Sequence, residues 1–84
     1  MALIEKQVID KIEVIENGTI QIRTATIIEK DGQEISKTFH RHVVHPIDDI
    51  TKEDARVQAI ANAVWTNEVV NQYKKFIEQK NTNN

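Results

Sequence analysis

The stretch Thr19-Ile20-Gln21-Ile22-Arg23-Thr24-Ala25-Thr26-Ile27-Ile28-Glu29 decides the fold. Its period is two: Ile20, Ile22, Thr24, Thr26 and Ile28 fall on one side of an extended chain, and Thr19, Gln21, Arg23 and Glu29 on the other. Residues branched at Cβ suit a pleated half-buried surface, so this segment reads as a long strand with one apolar face. Such a strand needs neighbours along its edges and a layer over that face.

The neighbours are found by working outward. On the N-terminal side Ile12 and Val14 form an apolar stripe that Val8 extends, while Asp10 interrupts it and predicts a weak or bulged middle. Taking Glu16-Asn17-Gly18 as a three-residue loop, with Gly18 left-handed, sets Val14 opposite Ile20, Ile12 opposite Ile22 and Val8 opposite Thr26. On the C-terminal side, a two-residue turn at Asp31-Gly32 sets Ile28 opposite Ile35, Thr24 opposite Phe39 and Ile20 opposite Val43. The expected sheet is a three-stranded antiparallel meander, roughly residues 4–16, 19–30 and 33–45.

Pro46 cannot donate to a ladder and marks the exit from the sheet. Thr51 reads as an N-cap with Asp54 in the first turn, so a helix is expected from about Lys52, its stripe formed by Val57, Ile60, Ala61 and Val64. The stripe loses phase after Trp65, where Thr66-Asn67-Glu68 is a second helix-start signal. Val69, Tyr73, Phe76 and Ile77 then form a new stripe. The fold class is therefore α+β, a three-stranded meander followed by two C-terminal helices, or one kinked helix, on one sheet face. Residues 1–80 make a single β-β-β-α-α domain, and 81–84 a polar flexible tail.

Length and composition bound the function. A chain of 84 residues buries only about 60–65% of its unfolded surface, so its core is small. It has no cysteine to add a disulfide or a thiolate metal site. Eleven basic and thirteen acidic residues are interspersed, with a net charge of −2, which gives no electrostatic reason to expect nucleic acid or a membrane as partner. No stretch is apolar enough for a signal segment or a membrane span, so synthesis in the cytoplasm is expected.

The residues also argue against catalysis and against a cofactor. Ser36, the only serine, lies in no nucleophile elbow and is expected to face away from the core. Gly18 and Gly32, the only glycines, are both needed by turns. His40 and His42 share one face of the third strand and supply two metal ligands, fewer than a zinc site needs, with His45 of opposite parity; the simpler reading is a solvated face opposite Arg23 and Gln21. Asp48 and Asp49 read as turn-solvating carboxylates before a helix. What remains is surface. The sheet face away from the helices is expected to carry Ile9, Ile15, Ala25, Ile27 and Val44 among Arg23, His40 and His42, and apolar area of that kind marks a docking surface or a homo-oligomer contact.

The path from Thr24-Ala25-Thr26 through Asp31-Gly32 and Ser36-Lys37-Thr38-Phe39-His40-Arg41-His42 to Ala61-Asn62-Ala63-Val64-Trp65-Thr66 resembles short proteins encoded among the virion structural genes of tailed bacteriophages. The similarity runs over residues 5–77, and its marks are Phe39 to His42, the polar turn from Pro46 to Asp49, and Asn62 to Thr66. It implies a non-catalytic virion structural protein in the tail region, working through contacts with itself and other virion proteins. The alternative is a small intracellular module that modulates a host protein.

Overall fold

A computed structural model describes residues 2–82 of the chain, as a three-stranded antiparallel sheet followed by two helices. The strands are β1 (Leu3–Val14), β2 (Ile20–Lys30) and β3 (Gln33–Val44), in the order β1-β2-β3, and the helices are α1 (Ala55–Val64) and α2 (Asn67–Thr82). The fold is α+β. α2 is helical through Thr82, so the polar end expected from Asn81 onward begins within a helix; Asn83 and Asn84 lie outside the described residues.

The first hairpin follows from its loop. Gly18 adopts φ +93°, the amide of Ile15 donates to the Thr19 carbonyl at 2.8 Å, and Val14 and Ile12 stand opposite Ile20 and Ile22. Asp10 then acts as an extra residue: Ile9 faces Thr24 and Lys11 faces Arg23, with the bulge between them. Beyond it the parity of β1 inverts. Val8 stands opposite Ala25 rather than Thr26, and Ile9, expected on the outer face, points to the helix side.

The second hairpin turns where expected, with Asp31 and Gly32 at φ +52° and +84°, the geometry of a two-residue turn. Its register does not hold. Glu29 pairs with Glu34 but Ile28 with Ser36, so Ile35 is extruded as a bulge and every later residue of β3 changes face. Thr24 meets His40 rather than Phe39, and Ile20 meets Val44 rather than Val43. Ser36 accordingly shares the face of Ile28, not the outer one.

α1 begins later than Thr51 suggests. Asp49 accepts the Thr51 amide at 2.9 Å and the Glu53 amide donates to the Ile50 carbonyl at 3.0 Å, a turn that lays Ile50 against the core before the helix starts. Asp54 is the N-cap, accepting the Arg56 amide at 2.8 Å. The break after α1 is as expected: Trp65 leaves helical geometry, and Thr66 Oγ1 accepts the Val69 amide at 3.3 Å to start α2.

The core joins Ile20, Ile22 and Val44 of the sheet to Val57 and Ala61 of α1, with Ile9, Ile12, Ile50, Ile60 and Trp65 packed around them. It occupies one end of the sheet. On the helix-facing side of β2, Ile20 and Ile22 are buried, whereas Thr24, Thr26 and Ile28 are only partly covered. The molecule measures 57 × 29 × 19 Å with a radius of gyration of 17.2 Å. A compact domain of this length has about 12 Å.

At the covered end Gly18 is wedged between elements. The Trp65 indole donates to its carbonyl at 2.6 Å, and a Cβ here would sit 2.7 Å from Val69 Cγ1 and 3.1 Å from Pro46 Cγ. Gly32, at the other tip, has open space around it. Gly32→Ala is expected to cost about 1–2 kcal/mol for the left-handed backbone alone, and Gly18→Ala at least about 1 kcal/mol more for the added clash. Urea unfolding of the two variants measures the difference.

Candidate interaction surface

Two inserted residues determine what the outer sheet face displays. With Asp10 and Ile35 both bulged, that face presents three successive cross-strand rows: Lys6-Ile27-Lys37, then Val8-Ala25-Phe39, then Lys11-Arg23-Arg41. An apolar row is thus bracketed by two cationic ones. Phe39 is 52% exposed and Val8 44%, while Ala25 between them is fully buried although no helix lies on that side. Its small side chain sits beneath its two larger cross-strand neighbours.

Arg23 organises the centre. Its Nε donates to Asp10 Oδ1 at 3.0 Å and its Nη2 to Oδ2 at 2.8 Å, a two-point pairing that also ties down the bulge. Its guanidinium carbon stands 4.4 Å from the centroid of the Phe39 ring, and Lys37 Nζ 5.8 Å from the same centroid. On the helix side of the bulge, Arg56 Nη2 donates to the Ile9 carbonyl at 3.3 Å. The bulge is therefore held from both faces. The hydrogen bonds from Arg23 hold the Asp10 carboxyl below the ordinary carboxylate range, against a smaller opposing effect of desolvation, and Asp10 in turn raises Arg23. Lys6 Nζ and Glu29 Oε2 form an ion pair at 3.2 Å nearby.

Of the residues expected on this face, Arg23, Ala25 and Ile27 are there. Ile9, His40, His42 and Val44 are not: the two bulges move them to the helix side, where Val44 is buried in the core. Ile15 lies past the end of β1 and is exposed in the first turn. Val8, Phe39 and Val43 take the vacated places. The Asp10 bulge is signalled by a carboxylate in an apolar stripe, whereas nothing in Glu34-Ile35-Ser36 announces the second one.

The histidines have structural partners. His42 Nε2 lies 2.8 Å from Glu53 Oε1, joining β3 to the segment before α1, and the rings of His40 and His42 lie 6.5 Å apart. His45 Nδ1 is 3.3 Å from Thr19 Oγ1, and its ring stacks on Tyr73 of α2 at 5.5 Å. Asp48 accepts the His45 amide at 2.7 Å, and the Thr51 amide holds the Asp49 carboxyl below its usual range, so both acids cap a turn. Among the described residues no group of three or more His, Asp or Glu side chains is placed to hold a metal ion, and no helix is long and apolar enough to cross a membrane.

Because the folded-state pKa of Asp10 is depressed, its pairing with Arg23 contributes fully above the unfolded carboxylate value of about 4 and is lost as pH falls through the lower folded value. A carbon-detected NMR titration should give Asp10 a midpoint below that of an ordinary aspartate. In Arg23→Gln the midpoint should move back up; an unchanged one would mean that Arg23 is not the cause.

Comparison of the chain with protein-family models, with curated proteins and with solved structures gave no match, so the surface must be read from its own chemistry.

Proposed function

We propose that the chain is a non-catalytic structural component of a tailed-bacteriophage particle, in the tail region, which works by repeated contacts with itself and with other virion proteins. The observation that carries this reading is the sheet itself: beyond Ile22 it extends past the helices, with Phe39, Val8 and Ile35 exposed on it. Exposed apolar groups on a sheet that reaches beyond its helices suit contact with another chain. Among the described residues β1 and β3 are the edges of the sheet and pair with no further strand, which suits lateral addition of one. The similarity of Phe39 to His42 and of Asn62 to Thr66 to virion-region sequences supports the particle as the setting.

Mass spectrometry of purified particles should find the chain at stoichiometric copy number, and its absence would remove the virion role. Recovery of one stoichiometric host protein from infected-cell lysate, with none of the chain in particles, would favour an intracellular modulator instead.

A further inference from the structure

The centre of the outer face is basic, whereas its two ends carry Glu13, beside the Lys11-Arg23-Arg41 row, and Glu29 and Glu34, beyond the Lys6-Ile27-Lys37 row. In its two cationic rows and the apolar row between them, five basic side chains meet two carboxylates, Asp10 paired with Arg23 and Glu29 paired with Lys6. Apposing two such centres directly would set Lys37 and Arg41 of one copy near those of the other, and these like charges repel. A partner suited to this centre is acidic and carries an apolar group for the Val8–Phe39 row.

The chain supplies such a partner at its covered end. The turn after β1 and the exit from β3 meet there, with Pro46 beside Gly18. Ile15 (39% exposed) and Ile47 (47%) protrude among Glu16, Asp48 and Asp49, all exposed. No lysine or arginine occurs from 12 to 22 or from 42 to 51. One end of the molecule is thus acidic with apolar knobs, and its mid-sheet is basic with an apolar row.

We infer that copies of this chain associate head to tail, the acidic Ile15–Ile47 tip of one seating on the basic Phe39 face of the next. This rests on the self-assembly reading above and specifies its contact. The two patches differ, so the interface is heterologous, and each copy keeps a free tip and a free face. Such contacts close into a ring or continue as a filament, and do not stop at a two-fold dimer. Attraction between exposed charges is screened over about 8 Å at physiological salt, so association weakens as salt rises.

The test is self-association of the full chain, by light scattering, as salt rises from about 0.05 M to about 0.5 M. Lys37→Glu with Arg41→Glu, and separately Glu16→Lys, should each weaken association at least about tenfold, because like charges then meet. Mixing the two variants should restore it, since the tip of each then matches the face of the other. In the wild-type protein, carbodiimide coupling should join Lys37 to Glu16 between copies. Within one chain their rows are separated by about 23 Å along β2, beyond the reach of such a bond. This measurement stands even where a variant fails to fold. An assembly indifferent to the reversals, a mixture no better than its parts, or no Lys37–Glu16 product would overturn the head-to-tail contact and leave self-assembly standing. A wild-type chain that stays monomeric at low salt would overturn both.

Discussion

The ten residues of α1 rise about 15 Å, whereas the eleven of β2 extend over about 36 Å. This difference in reach governs the structure. α1 covers one end of the sheet, where Val57 and Ala61 meet Ile20, Ile22 and Val44, and α2 is held beside that end through Val69 near Gly18 and Tyr73 against His45. Nothing in the described chain covers the other end. The radius of gyration, half as large again as a compact domain's, reflects that overhang.

Within this frame the bulges decide which side chains meet solvent. An extra residue in a strand exchanges its two faces from that point onward, and here it happens once on each outer strand. Without the bulges Phe39 and Val43 would join the helix side, and His40 and His42 the outer one. With them, the outer side gathers Lys6, Lys11, Arg23, Lys37 and Arg41 around an apolar row. The Asp10–Arg23 pair fixes the β1 bulge and aligns Arg23 over Phe39, so one interaction sets both the register and the character of the exposed face.

The parts of the fold legible in the sequence are those set by local chemistry. The alternation from Thr19 to Glu29, the left-handed Gly18, the two-residue Asp31-Gly32 turn and the break at Trp65–Thr66 each state a backbone preference within a few residues. The interaction surface depends on parity carried over the whole strand, and one inserted residue inverts it. Asp10 gives a visible hint because a carboxylate interrupts an apolar stripe. Ile35 gives none, since an isoleucine fits either face, and the choice is made remotely, where Val44 fills the core and His42 reaches Glu53. α1 starts later than Thr51 for a related reason: Thr51 and Asp54 are both good caps, and the packing of Ile50 selects the second.

The self-assembly proposed above requires that the chain stabilise one end of its sheet alone and the other only through a further chain. Amide hydrogen exchange as a function of protein concentration addresses it residue by residue. Amides of β2 near Ile20 and Ile22 should be protected at every concentration, while those from Thr24 to Ile28 should gain protection as the protein is concentrated. Equal protection along the whole strand in dilute, monomeric protein would contradict it.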